Sequence, residues 1–566
     1  MNLHRLKIDS AVAQNGGRSD VNLSHGVLAT AKIGQILPIF HEEVVPGDKL
    51  SLNSRMFARF EKLAVPSYVR LNYRTMSVFV PYHQVMDGSD SFFANQQYFK
   101  GKSNSLPIIT EQEVVSFFLN GTVSKTTTGK ADFYSGNVAR EFTSLGRYCA
   151  KVLSLLGYVW YSGIDETGAQ EGNLSLPEGQ WNALPLLSFA HAYNCYLSYS
   201  ANYNISELSN TLETLKRAPE TVITAARLRT LLFNILLTYE ESFFSSLWRN
   251  PFSSTNVVGY DKKQLVADPL QYTTDSVGPD TLAGSVNWDA SKGASPNDSS
   301  FADLSAQQVR LLLKFDDFFR RCNFAGSKDV EQIYSKFGVK IDDYKTRYPY
   351  FLGETSSEVR IGDVTSTSTT GDELGAYAGK AIGDGDASIN FMSNDYGMVF
   401  VFAWFAPRPM YFKGADPATM RFAPLHYYTP EMDEGFQSVV KKWMMAPSVT
   451  MDNDLGFTQL YSEYLWHKDY IVGDYTRFAG FEAWHFGRTD LAQQLAQSDS
   501  LIYMSNSGTQ FERIFNITDT ELVDADTIYC TVDNQESMIR PMKDYAGKSG
   551  LGHGDIDLPA LGSQMN

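Results

Sequence analysis

The chain has 566 residues, of which 43% are apolar, so it can build a large hydrophobic core and is not disordered throughout. Its 64 acidic residues outnumber its 48 basic ones, and the resulting net charge of −16 argues against a dedicated nucleic-acid binder. The cysteines are too far apart in sequence for a metal-binding motif, and we expect free thiols in a reducing compartment; they are Cys149, Cys195, Cys322 and Cys530.

The N-terminal part of the chain predicts an arm followed by strands. Residues 1–30 have mixed composition and indicate an arm, with strands starting near Ile33. Pro46 and Gly47 predict a turn between two strands. The apolar period of the next strand shifts at Met76, which predicts either a bulge or burial on both faces.

The middle of the chain mixes helices, a long polar stretch and one strongly apolar strand. Residues 221–239 predict a helix that is apolar on nearly every side, and residues 304–322 predict an amphipathic helix. Residues 251–300 are rich in Ser, Asp, Gly and Asn and predict an exposed surface loop. Residues 396–405 read YGMVFVFAWF, which predicts a central strand apolar on both faces.

Several polar groups could carry chemistry, but a structural role is favoured for each. His467 and Asp469 near Glu463, or His485 near Glu482, could form acid–base pairs, yet neither set comes with a nucleophile or an oxyanion donor. The oxygen-rich segments 384–386 and 452–454 could hold calcium, but they lack the spacing of a calcium-binding loop and are interpreted as turns. We therefore expect no enzymatic activity and assign no metal ligands.

Two ordered sets of motifs suggest a family. The first begins at Ile36 with ILPIFHEEVVPGDKLSL and continues from Tyr68 with YVRLNYRTMSVFVPYHQV. The second begins at Tyr461 with YSEYLWHKDYIVGDYTRFAGFEAWHFGR, and strands are predicted to recur through residues 436–486 and 526–533. Together the motifs resemble the major capsid protein of the Microviridae, small icosahedral single-stranded DNA bacteriophages, and the gokushovirus-like branch in particular.

The resemblance implies a mainly β fold, the viral jelly roll. This is an eight-stranded antiparallel β-barrel or sandwich, here with long loop and helical insertions. Residues 31–566 would form one capsid domain after the arm at 1–30. Within that domain, 251–300 would be the exposed surface loop and 541–566 a C-terminal arm.

The resemblance also implies what the protein does. It would be a structural major capsid protein that forms pentamers and then an icosahedral shell around a circular single-stranded DNA genome. It would be a virion component, assembled in the cytoplasm of the host bacterium without inserting into a membrane. An internal scaffolding protein and a receptor on the host surface would be its partners. No cofactor is assigned, although a divalent cation such as calcium is compatible with the family.

A carbohydrate-binding or carbohydrate-active jelly-roll protein is the alternative, because acidic, aromatic-rich β proteins often bind sugars. Catalysis would need two carboxylates facing each other across a cleft, and the sequence offers no way to pair them. Export would also be expected, and the N-terminus does not read as a signal peptide.

Basic residues next to aromatic ones predict where single-stranded DNA would be bound without sequence preference. Phosphates pair with cations while bases stack on aromatic rings. The candidates lie at the two chain ends and in one internal cluster, and they are Arg5, Lys7, Lys441, Lys442, Trp443, Arg540, Lys543, Tyr545 and Lys548.

Overall fold

The structure is a computed structural model. It describes residues 18–93, 106–119, 123–125, 140–142, 144–158, 160–164, 170–175, 180–197, 206–217, 222–233, 243–244, 247, 334, 338, 348–365, 377–412, 415–430, 437–445, 454–488, 509–516 and 526–541. Three features predicted from the sequence lie outside these residues: the surface loop 251–300, the helix 304–322 and Cys322. The other three cysteines are buried thiols.

Strands make up most of the regular structure. Within the described residues they are β1 (Ser19–Asn22), β2 (His25–Ala31), β3 (Leu37–Val44), β4 (Lys49–Phe60), β5 (Leu71–Pro81), β6 (Ile108–Thr110), β7 (Val123–Lys125), β8 (Arg140–Phe142), β9 (Trp160–Ile164), β10 (Gln170–Ser175), β11 (Gln180–Asn182), β12 (Tyr350–Glu358), β13 (Arg360–Thr365), β14 (Tyr377–Met392), β15 (Gly397–Pro407), β16 (Tyr411–Phe412), β17 (Gln437–Lys441), β18 (Asp454–Gln459), β19 (Tyr470–Ile471) and β20 (Ile528–Arg540).

Helices occupy the connections between strands. The α-helices are α1 (Tyr82–Val85), α2 (Ser89–Phe93), α3 (Glu111–Leu119), α4 (Ser144–Leu155), α5 (Leu184–Ala192), α6 (Ser206–Arg217), α7 (Ala225–Phe233) and α8 (Thr509–Glu512). A π-helical turn follows α5, and short 3₁₀ turns lie at Pro417–Met420, Pro424–His426, Lys442–Met444, Ser462–Tyr464, Gly473–Thr476 and Ala479–Trp484.

Eight of the strands form two antiparallel sheets with jelly-roll connectivity. The first sheet has the order β2-β20-β4-β14, with β1 and β13 added at its edges, and the second has the order β3-β15-β5-β12. Along the chain, β2, β3, β4 and β5 alternate between the sheets, and so do β14, β15 and β20. This is the order of a viral jelly roll, so the predicted fold class is confirmed.

The pattern of burial explains the apolar sequences of the second sheet. Every residue of β15 is buried, and β5 is buried continuously from Thr75 to Pro81. One face packs on the first sheet, where the Phe60 and Phe405 rings are 5.3 Å apart. Helix α5 covers the other face, with the Phe189 ring 5.5 Å from that of Phe402. A sheet covered on both sides needs strands that are apolar on both faces.

The shift in apolar period at Met76 therefore comes from burial on both faces. The register of β5 with β15 runs without interruption from Leu71 to Pro81, so β5 itself has no bulge there. The register is irregular in the two neighbouring pairs of strands. One irregularity is in β12 where it pairs with β5, and the other is in β3 where it pairs with β15.

The two ends of the sandwich carry different connections. Pro81 at the end of β5 lies opposite Gly397 at the start of β15, so the insertion 82–349 leaves and re-enters at this end. The turn between β3 and β4 and the last residue of β20 lie at the same end. The excursion 408–527, between β15 and β20, is rooted at the opposite end.

The insertion nevertheless reaches along the sandwich to that opposite end. Lys151 in α4 places its Nζ 2.5 Å from Oδ2 of Asp526, two residues before β20, and 3.0 Å from Oε1 of Gln35. The Tyr148 hydroxyl donates to the Ile36 carbonyl at 2.8 Å. These contacts hold the helical layer against the jelly roll.

Three features of the fold differ from the sequence-based expectations. The N-terminal arm is shorter than residues 1–30, because β1 and β2 pair with the free edge of β20. Residues 384–386 lie within β14 and form no turn. The predicted helix 221–239 begins only at Ala225 and is described to Phe233, with only one face buried. Val222 forms a β-bridge with Ile108 instead, and residues 221 and 234–239 lie outside the described residues.

Gly385 shows why this segment can be a strand. A Cβ atom built at this position would lie 2.3 Å from Cδ1 of Tyr73, which points from the second sheet into the space between the sheets. The residue is glycine because an aromatic ring fills the space that a side chain would need.

We expect Gly385→Ala to destabilise the protein by about 1–3 kcal/mol, since Tyr73 must shift in a close-packed core. Gly362→Ala is the matched control, because it also lies in a strand and a Cβ there would meet nothing within 4 Å. Denaturant unfolding of both variants measures the difference. Equal stability of the two variants would contradict this account of the glycine.

A buried carboxylate joins the N-terminal strands to the sandwich. The Glu536 side chain in β20 is 1% exposed, and its Oε2 lies 3.9 Å from Nδ1 of His25 in β2. Neither carboxylate oxygen accepts a hydrogen bond within the described structure. Burial, reinforced by the negative charge of Glu42, raises the pKa of Glu536 to about 7 from its ordinary 4.5.

Glu536 should make stability depend on pH. Between pH 4.5 and 7 the folded state holds a proton on this carboxyl that the unfolded state releases, so this contribution is lost as pH rises through 7. We expect Glu536→Gln to be more stable than the wild type at pH 8 by on the order of 2–3 kcal/mol, and nearly equal to it at pH 5.

Thermal unfolding midpoints at the two pH values measure this effect. Asp533→Asn is the control, since it removes one carboxylate from the exposed face of the same strand. A Glu536→Gln variant with no advantage at pH 8 would show that the carboxyl is not held neutral by burial.

Candidate assembly and nucleic-acid interfaces

Arg540, one of the predicted DNA contacts, anchors the end of β20. Its Nη2 donates to Oε1 of Glu42 at 2.6 Å and to the Glu43 carbonyl at 2.9 Å. Its Nε lies 3.5 Å from Oδ2 of Asp48, whose side chain is fully buried. Burial raises the pKa of Glu42 even with this guanidinium beside it. Arg540 thus neutralises carboxylates at the β3–β4 turn.

The two chain ends leave the sandwich side by side at this turn. Ser19 pairs with Arg540 across β1 and β20. A Cβ built on Gly47, which has a φ of +96°, would be 3.8 Å from Pro541 and 4.0 Å from Arg18. The turn itself is closed by Asp48, which accepts from the Val45 amide at 3.0 Å. Both arms therefore start at one place.

The internal cluster lies elsewhere in the fold. Lys441 ends β17, and Lys442 and Trp443 form the following 3₁₀ turn; all three are partly exposed. Lys441 Nζ lies 2.6 Å from Oδ1 of Asp454. The cluster belongs to the excursion 408–527, whereas Arg540 lies at the other end of the sandwich. The remaining candidates, Arg5, Lys7, Lys543, Tyr545 and Lys548, lie outside the described residues.

Three of the acid–base candidates, Asp469, Glu463 and His485, are engaged in local contacts. Asp469 Oδ2 lies 2.7 Å from Nε of Arg408, and Glu463 Oε1 lies 3.7 Å from Nη2 of Arg421. His485 is buried, and its Nδ1 accepts from the Gly487 amide at 2.9 Å. Burial lowers the pKa of His485, and the nearby positive charge of Arg513 lowers it further. These are the interactions of structural residues.

An exposed aromatic surface on the excursion is the feature that sequence reasoning missed. Among the large apolar residues of 415–488 that are exposed are Phe422, Tyr427, Tyr428, Tyr464, Leu465, Tyr470, Val472, Tyr475, Phe478 and Phe481. Large exposed apolar surfaces mark interaction sites. The signal in the sequence was a high density of aromatics without the alternation of a strand, and 3₁₀ turns account for that absence.

Two further findings concern metals and membranes. Within the described residues, no group of three or more His, Cys, Asp or Glu side chains is placed to hold a metal ion. None of the described helices is both long and apolar enough to cross a bilayer.

Comparison with known proteins gives one consistent answer. A protein-family model described as "Capsid protein (F protein)" matches residues 10–114 and 249–546. Capsid protein VP1 of Chlamydia phage 1 is 22% identical over 533 residues, which cover 83% of this chain and 87% of that protein. Capsid protein VP1 of Bdellovibrio phage phiMH2K is 22% identical over 496 residues, covering 83% and 84% respectively.

The matches confirm the resemblance to Microviridae capsid proteins and give no support to a carbohydrate-binding or carbohydrate-active role. They also confirm a structural, non-enzymatic protein that is part of the virion. With the family model covering well over half of the sequence, and a jelly roll of the expected class, the chain belongs to the phage capsid protein (F protein) family.

Proposed function

We propose that copies of this chain associate into pentamers and close an icosahedral shell around a circular single-stranded DNA genome. Self-assembly follows from membership of a capsid family. The observation that supports genome contact is that both chain ends leave the sandwich beside Arg540. Two arms that start together can carry their cations to one inner surface.

Basic residues in the two arms would let an acidic subunit hold negatively charged DNA. A subunit with a net charge of −16 repels a polyanion, so local cations are needed wherever DNA is held. Arg5 and Lys7 would supply them from one arm, and Lys543 and Lys548 from the other. Tyr545 could stack on a base. Arg540 is assigned to the junction, since its guanidinium already pairs with Glu42.

Other partners are part of the same proposal. An internal scaffolding protein would guide assembly, and a receptor on the bacterial surface would meet the outer loops, first of all residues 251–300. No residue is assigned to a cofactor, and calcium binding stays a prediction without ligands.

We expect Lys543→Gln/Lys548→Gln to reduce the DNA held per particle without reducing the number of particles. Each lost phosphate contact should also lower the salt slope of single-strand binding by about 0.7. The measurement is nuclease-protected DNA per particle, together with release of DNA by salt. Lys441→Gln/Lys442→Gln removes the same charge from the internal cluster and serves as the comparison.

Arg540→Gln should behave differently from the arm variants. It leaves Glu42 and the buried Asp48 without their cation, so we expect a loss of about 2 kcal/mol in subunit stability.

If the arm variants retain full DNA and the Lys441→Gln/Lys442→Gln variant loses it, the genome contacts lie on the excursion 408–527. If the arm variants abolish particles instead, the C-terminal arm joins subunits.

A further inference from the structure

Five side chains of the excursion form a compact cluster that we call the tyrosine cluster: Arg421, Tyr427, Tyr428, Tyr461 and Tyr464. The guanidinium of Arg421 lies 4.1 Å from the ring centroid of Tyr464 and 5.7 Å from that of Tyr427. The Tyr428 ring packs at 5.3 Å from Tyr461, and its backbone amide donates to the Tyr464 hydroxyl at 3.3 Å. The two segments of the cluster are therefore held together.

Two large apolar side chains flank the tyrosine cluster and point into solvent. Phe422 follows Arg421 and is 80% exposed, and Leu465 follows Tyr464 and is 83% exposed. Large apolar side chains are usually buried, whereas these two are exposed next to residues that are held in place by ring contacts. Aromatic residues and arginine are also the types enriched at the centres of protein interfaces.

The backbone is strained at Tyr461, four residues before Leu465. Tyr461 has a φ of +65° and a ψ of 14°, and it is the one non-glycine residue with positive φ in the described structure. A bulky side chain in the left-handed region is disfavoured, and such strain tends to persist where function requires the shape. Here the strained residue starts the 3₁₀ turn Ser462–Tyr464 that places Leu465 outside.

The segment that carries the tyrosine cluster has no excess of positive charge. Residues 415–488 contain ten acidic and six basic residues in sequence, so this part of the chain shares the acidic character of the whole. Within the cluster, Arg421 pairs with Glu463. Copies of an acidic subunit repel one another least where the charged side chains of the surface are paired, as Arg421 and Glu463 are here. A phosphate backbone, in contrast, is attracted by an excess of positive charge.

We propose that the tyrosine cluster, together with Phe422 and Leu465, is an interface at which a second copy of this chain docks. The inference rests on the proposed shell and names a surface that builds it. The exposed side chains and the strained turn are explained together if Phe422 and Leu465 become buried in the partner, and the Arg421–Glu463 pair leaves no uncompensated charge within the cluster to oppose that burial.

The test uses Leu465→Ser and Phe422→Ser in the full chain, expressed with the other genes of its phage so that assembly partners are present. Leu28→Ser is the matched control, since Leu28 is 86% exposed on the edge strand β2. Sedimentation measures the fraction of the chain in particles, and thermal unfolding of the soluble subunit checks that each variant folds.

We expect each of the two variants to lower the particle fraction at least tenfold with an unchanged unfolding midpoint, while Leu28→Ser assembles normally. Normal assembly of both variants would overturn the interface. Particles that form normally but lack DNA would identify nucleic acid as the occupant, and particles that form but do not infect would identify a host or phage partner; either overturns docking of a second copy. A wild-type chain that forms no particles would instead overturn the proposed function.

Discussion

Burial of the second sheet on both faces is the constraint on which the rest of the structure depends. Strand β15 cannot face water on either side, so the sandwich is incomplete until helices of the insertion cover it. The insertion therefore belongs to the fold as a third layer. This requirement also fixes where the long connections begin, because β5 and β15, the strands that precede them, are central strands of the second sheet.

That arrangement separates two surfaces of the subunit. The arms start at the end that holds Arg540 and the β3–β4 turn. The aromatic excursion is rooted at the other end, after Pro407. A shell protein must face its genome and its neighbours at once, and one rigid sandwich with different chemistry at each end can do both. Glu536 of β20, buried beside His25 of β2, links the stability of the arm end to pH.

Much of the fold could be predicted from the sequence, and the reasons for the failures are physical. The turn at Pro46 and Gly47 and the doubly buried strand at 396–405 are local signals, and both predictions are confirmed. Residues 384–386 read as a turn because Gly385 lies between two aspartates. The deciding contact, the Tyr73 ring, comes from a strand more than three hundred residues away and leaves no local trace.

The candidate sites were harder to predict because they depend on which partners surround a charge. Arg540 reads as a DNA contact in sequence but neutralises Glu42 in the structure. The exposure of Leu465 depends on the strained Tyr461 turn, which no pattern of residue types indicates.

An electron cryomicroscopy reconstruction of the native particle tests the whole account most directly. It should show Ser19 and Arg540 on the inner surface and Leu465 buried between neighbouring copies; arms on the outer surface, or Leu465 facing solvent in the closed shell, would contradict it.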